Sequence, residues 1–251
     1  MPITSVSLLP AAPLVLPAAS PAQPAAFAAA VDQLRGAVEG IVDRLPSADS
    51  ALLLLPDEEA LVIDAPQASL GSYGRPDVTA AVVIDEALIA AVSARGQAPR
   101  VRSDSLTGDA AVLALVLAGT RPDLALAPVT VPRRANAAGL DGVAMGLARA
   151  VASVDHEVAV IAAGDLAATL DTTSPGYLVE GASDWDERLV AAVRATDPQA
   201  AGALGPDEAR RVQARGWAPI TVALTLAQGC SWRFDAVTYL APKGVGQIVA
   251  G

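Results

Sequence analysis

Strands alternating with helices from Ile3 to Ala163, a helical stretch after them and a closing hairpin predict an α/β fold, three-layer α/β/α around a central mixed sheet. Short, continuous apolar runs suit strands buried on both faces, and the segments between them carry helical periodicity. With 53% hydrophobic residues and a mean hydropathy of +0.43, the chain is too apolar for disorder. No linker rich in Ser, Gly or charge interrupts it, so residues 1–251 read as a single domain.

Ile3-Thr4-Ser5-Val6-Ser7-Leu8-Leu9 is rich in β-formers and stops at Pro10, which marks a first strand. Pro10-Ala11-Ala12-Pro13-Leu14-Val15-Leu16-Pro17 then makes a stiff loop, because each proline restrains its own φ and biases the residue before it toward extended geometry. From Ala26 to Leu45, Phe27, Val31, Leu34, Val38, Ile41 and Leu45 recur at steps of four and three, the pattern of an amphipathic helix. Ala51 to Leu55 is a buried strand closed by Pro56-Asp57. Ala80 to Ile84 reads either as a strand or as the start of a helix through Asp85 to Arg95. Asp109 to Gly119 is a short apolar helix, Asp123 to Val131 a strand, and Asn136 to Val154 a helix whose Gly139, Gly142 and Gly146 would permit close packing on a sheet. Glu157 to Ala163 is another buried strand, closed by Gly164-Asp165. Helices follow at Ser183 to Thr196, Pro206 to Arg215 and Pro219 to Gln228. Trp232 to Leu240 and Val245 to Ala250 form two last strands joined at Pro242-Lys243-Gly244.

Composition excludes several kinds of chemistry. Lys and Arg number 17 against 27 Asp and Glu, a net charge of −10, which argues against nucleic-acid binding because phosphate neutralisation needs clustered cations. The bias of Arg over the single lysine, Lys243, with abundant Ala, fits a GC-rich bacterial genome. There is one histidine, so neither a two-histidine iron site nor a His-rich zinc site can be built within one chain. His156, in Ser153-Val154-Asp155-His156-Glu157, reads as a solvated residue at a strand start. Cys230, the only cysteine, has no disulfide partner, fits a reducing compartment and reads as a small buried hydrophobe.

The apolar opening has no positive n-region, and Pro10, Pro13, Pro17, Pro21 and Pro24 would break a helical signal core. No later segment reaches the ~18–20 apolar residues of a spanning helix. The expected location is cytoplasmic, with no membrane and no nucleic-acid partner. The final strands offer an edge on which a second copy can pair as a homodimer.

The order of these pieces resembles the catalytic-subunit-like family of class III extradiol ring-cleavage dioxygenases, which includes the Memo-like proteins, and in particular its Ala-rich bacterial members. The resemblance rests on the proline loop after the first strand, on Gly164-Asp165, on Ser174-Pro175-Gly176-Tyr177, and on the tail Ala241-Pro242-Lys243-Gly244-Val245-Gly246-Gln247-Ile248-Val249-Ala250. It spans nearly the whole chain and implies the fold of the dioxygenase catalytic subunit. It also implies an Fe(II) held by two histidines and a carboxylate, with a further histidine acting on substrate and dioxygen. Here the first ligand position falls at Ala11, the second near Asp57 and the acid-base position near Ala168, none of them histidine.

The resemblance therefore points to a pseudoenzyme that binds a small molecule or a protein, and no cofactor is expected. The alternative is a metal-dependent oxidoreductase or hydrolase reusing the crevice with carboxylates, which suit Mg2+, Ca2+ or Mn2+. Asp57, Glu58, Glu59 and Asp64 cluster after the second strand, and Asp165 closes a later one. Tyr73 in Gly71-Ser72-Tyr73-Gly74 and Tyr177 stand where pocket walls are expected, each offering a hydroxyl and an apolar ring. The candidate pocket is thus Ala11, Asp57, Tyr73, Asp165, Ala168 and Tyr177.

Overall fold

The computed structural model describes residues 3–20, 22, 25–95 and 98–251; Pro21 and Pro24 of the proline-rich opening lie outside them. In chain order the elements are β1 (Ile3–Leu9), α1 (Ala25–Arg44), β2 (Ser50–Asp57), β3 (Val62–Asp64), β4 (Gln67–Leu70), β5 (Arg75–Ala81), α2 (Glu86–Ala94), β6 (Arg100–Arg102) and α3 (Gly108–Ala118). There follow β7 (Ala125–Pro132), α4 (Ala137–Val151), β8 (Val158–Ala163), α5 (Ala182–Ala195), α6 (Pro198–Gly202), α7 (Pro206–Arg211), α8 (Trp217–Gly229), β9 (Val237–Leu240) and β10 (Gln247–Ala250).

Eight strands form one sheet in the order β6-β3-β7-β2-β8-β1-β10-β9, and β4 and β5 make a separate hairpin. The centre, β7-β2-β8-β1, is parallel. The β3–β7, β1–β10 and β10–β9 pairs are antiparallel, so the sheet is mixed. Period-two alternation divides the central side chains between two cores. Leu52, Leu54, Val129, Val160 and Ala162 pack with α2, α4, α5 and α8, while Leu53, Leu55, Ile161 and Ala163 pack with α1 and α3. Each of these fully buried leucines stabilises the fold by about 2 kcal/mol. This is the three-layer architecture that the sequence predicts. Among the described residues no helix is long and apolar enough to cross a membrane.

The sheet departs from the sequence reading mainly at its first edge. β3 and β6 are three residues each, too short for any periodicity, and they are pinned by charge: Arg100 Nη2 donates to Asp64 Oδ2 at 2.6 Å and Arg102 Nε to the same oxygen at 3.2 Å. Neither reading of the ambiguous run Ala80 to Ile84 holds in full: only Ala80 and Ala81 are in a strand, as the end of β5, and α2 starts later, at Glu86. At the C-terminus, Trp232 to Leu240 contracts to Val237–Leu240, and Pro206 to Arg215 to Pro206–Arg211.

Two further expectations are corrected. Gly139 and Gly142 lie on the solvent face of α4, and only Gly146 is buried. His156 is not a solvated residue: its Nε2 meets Oδ2 of the buried Asp85 at 2.7 Å, and Asp85 Oδ1 accepts from Leu88 N to cap α2. Asp85→Ala is expected to lower stability by about 1–2 kcal/mol in urea denaturation, through loss of the cap and of the histidine contact. An unchanged midpoint would show that the contact does not hold α2. Cys230 is half-buried, and its thiol points to Ala227 O at 3.4 Å.

Candidate functional site

Parallel strands β7, β2, β8 and β1 deliver their C-terminal ends to one edge of the sheet, where ligand sites of α/β proteins form. The loops leaving that edge carry Ala11, Asp57, Arg133 and Asp165. Arg133 N donates to Asp57 O at 2.8 Å, and Asp57 Oδ1 accepts from Glu58 N at 2.7 Å, so the loop after β2 is turned toward the end of β7. Thr130 reinforces the turn: its Oγ1 donates to Glu59 O and accepts from Leu61 N. Glu58 thereby meets Arg133 and Arg134, the latter at 2.7 Å.

Asp165 sits on the floor. Its Oδ2 accepts from Ala11 N at 3.0 Å, and its carbonyl accepts from Gly216 N at 2.7 Å, just ahead of α8. Buried Gln247, bridged to Asp165 through the backbone, brings its amide close without an aligned hydrogen bond. Burial, aided by the nearby Asp109 charge, pushes the Asp165 carboxyl up to about 7, although Ala11 N–H, Gln247 and Arg215 pull against it.

Asp109 enters from the first turn of α3 and accepts from Arg215 Nη2 at 2.8 Å. Its side chain is 12% exposed against 54% for Arg215, so the guanidinium reaches outward from a buried carboxylate. Burial raises Asp109 despite the attraction of Arg215 and Arg133. Burial also works against the charge on Arg215, but Asp109 outweighs it and holds the guanidinium above its ordinary value. Tyr73, in the turn between β4 and β5, is 41% exposed; partial burial and then the Asp109 and Asp165 charges, against the pull of Arg215, raise its hydroxyl to about 12.

Beside this cluster opens a cleft of about 480 Å³. Glu58, Arg133, Arg134, Arg210 and Arg215 form its polar wall, and Ala168, Ala214 and Trp217 its apolar one. Trp217 is held by its Nε1–H, which donates to Ala201 O at 2.9 Å. Arg215 is the hinge between cleft and cluster, since it lines the first and pairs with a carboxylate of the second.

The six sequence candidates separate. Asp57, Tyr73 and Asp165 lie within reach of the Asp109 charge, but Asp57 is exposed, Tyr73 is 41% exposed, and none of the three lines the cleft. Ala168 lines the cleft. Ala11 is buried and contributes its backbone N–H to Asp165, not a wall. Tyr177 is 63% exposed at a positive φ of 58° and does not line the cleft. Its loop is a clasp instead, in which Ser174 Oγ donates to Gly244 O at 2.8 Å and Gly244 (φ 67°) leaves no room for a Cβ beside that hydroxyl. The acidic cluster is divided among arginines, with Asp64 on Arg100 and Arg102 and Glu58 on Arg133 and Arg134. Among the described residues no three His, Cys, Asp or Glu side chains come together to hold a metal ion.

Asp109, Arg133, Arg134, Arg210, Arg215 and Gln247 were not singled out from the sequence as site residues. Two signals were present: the Arg133-Arg134 pair directly after a buried strand, and a glutamine opening the otherwise apolar run Gln247-Ile248-Val249-Ala250.

No protein-family model and no curated protein matches the chain. Among solved structures it is similar to the crystal structure of the uncharacterized protein JW3007 from Escherichia coli K12. The TM-score is 0.58 at 14% identity, covering 86% of this chain and 90% of that one. At that identity the two proteins share a fold.

Proposed function

We propose that this chain binds a small molecule in the cleft beside Arg215, as a non-catalytic relative of the class III extradiol dioxygenases. The observation that carries the reading is the position of Ala168, whose methyl group forms part of the cleft wall at the place where the resemblance expects an acid-base histidine. An alanine moves no proton and coordinates no iron. Ala11 supports the same reading, because its side chain is buried and only its N–H faces the floor carboxylate. The cleft itself, about 480 Å³, is of the size that accepts small organic molecules.

Thermal-shift screening of a small-molecule library tests the proposal, with Ala168→Phe, whose ring would extend from the cleft wall into the cleft, as the filling control and circular dichroism checking its fold. Compounds that raise the melting temperature of the native chain are expected to leave the variant unmoved; equal shifts in both would place binding elsewhere. Incubation with Fe2+ and catechol under air is expected to yield no ring-opened product, and elemental analysis no stoichiometric iron. Ring cleavage above the protein-free rate would overturn the non-catalytic reading.

A further inference from the structure

We propose that the ligand of this cleft is an organic oxyanion, a carboxylate or phosphate group on an apolar body, with its charged end held by Arg133 and Arg134. The inference rests on the cleft being the binding site and adds the chemistry of its occupant. Charge is the first support: in a chain of net charge −10, this wall gathers four guanidiniums against the carboxylates of Glu58 and Asp207. The cations are not evenly compensated. Arg215 has Asp109 and Arg210 has Asp207, but Arg133 and Arg134 share the single carboxylate of Glu58.

A second, independent observation lies in Arg133 itself. Its Nε–H is buried and has no hydrogen-bond partner among the described residues, while its Nη2 is engaged by Glu58. A buried donor without an acceptor is unfavourable, and a guanidinium that turned from Glu58 toward an incoming oxygen would relieve it, since the side chain as a whole is 40% exposed. The planar fork of a guanidinium matches the two oxygens of a carboxylate or phosphate, and a charge-assisted contact is stronger there than a neutral one. Ala168, Ala214 and Trp217 give the cleft an apolar side, which suits a hydrocarbon body attached to the charged end.

The test is isothermal titration of the whole chain with hexanoate, hexyl phosphate and the neutral hexanamide. One of the anions is expected to bind at least about tenfold more tightly than the amide, with affinity falling as salt is raised. The tighter anion tells carboxylate from phosphate. Arg133→Gln is expected to weaken it about tenfold, the loss of one charge-assisted contact. Because Arg133 is partly buried, the more exposed Arg134→Gln serves as a second variant, with circular dichroism checking the fold of both. Hexanamide binding as tightly as the anions, with Ala168→Phe abolishing it, would overturn the oxyanion inference and leave the cleft reading standing. Anion binding that survives both Arg133→Gln and Arg134→Gln would also overturn the inference. Binding of none of the three probes would count against both.

Discussion

Gly216→Ala is expected to destabilise the protein by about 3 kcal/mol, the high end of what overpacking a dense interior costs. The backbone at Gly216 is ordinary, with φ −75° and ψ −8°, so the demand is for space and not for an unusual conformation. A Cβ there would lie 2.6 Å from Asp165 O, 2.7 Å from Ala163 O and 2.9 Å from Asp165 N. These are backbone atoms of the segment leaving β8, which cannot swing aside as a flexible side chain can. The same close approach lets Gly216 N donate to Asp165 O and sets Arg215 beside the buried carboxylates. Urea denaturation measures the loss, and Gly142→Ala is the matched control. Gly142 lies within α4 with nothing within 4 Å of its added methyl, so its replacement is expected to stabilise by up to about 1 kcal/mol. Equal effects at the two sites would refute the close-packing argument.

Asp165→Asn is expected to make the protein more stable than the native chain at pH 8, with the advantage disappearing near pH 4. The sign follows from linkage. A carboxyl whose pKa is raised on folding favours the folded state fully below its unfolded value, and that contribution is lost as pH rises through its folded value, here about 7. Moving an aspartate from near 4 to about 7 corresponds to on the order of 4 kcal/mol at alkaline pH. Asparagine removes the buried charge and keeps an oxygen to accept from Ala11 N. Asp186, pushed up to about 6 by burial against the pull of Ala167 N–H and the Tyr239 hydroxyl, and Asp109 bend the native curve in the same direction. The difference between native and variant is therefore the quantity to read, from urea denaturation at both pH values. A native chain as stable as the variant at pH 8 would show that Asp165 is not held as a buried, easily protonated acid.

Legibility followed the kind of signal each element carries. The helix at Val31, Leu34, Val38 and Ile41 and the strands at Leu52 to Leu55 and Val158 to Ala163 were readable because burial imposes a period, or a continuous apolar run, on the sequence itself. Pro219 drew the start of the last long helix two residues late. It occupies the third helical position of α8, where its missing N–H would have had no intrahelical partner anyway. β3 and β6 left no trace, since three residues held by an arginine–aspartate contact across 36 positions have no local pattern. His156 was misread for the same reason: its partner Asp85 is 71 residues away.

The site divides in the same way. From the sequence alone it follows that a single histidine cannot supply two histidine ligands, and the resemblance adds only that Ala11, Asp57 and Ala168 stand near the positions where it expects histidines. Only the tertiary structure decided that Asp109 and Arg215, 106 residues apart, close on each other beside Asp165, and that Arg133 and Arg134 compete for one carboxylate. Periodicity records which face of an element is buried. Charges on loops obey no period, and they acquire partners, burial and shifted acidity only when packing brings the ends of separate strands together.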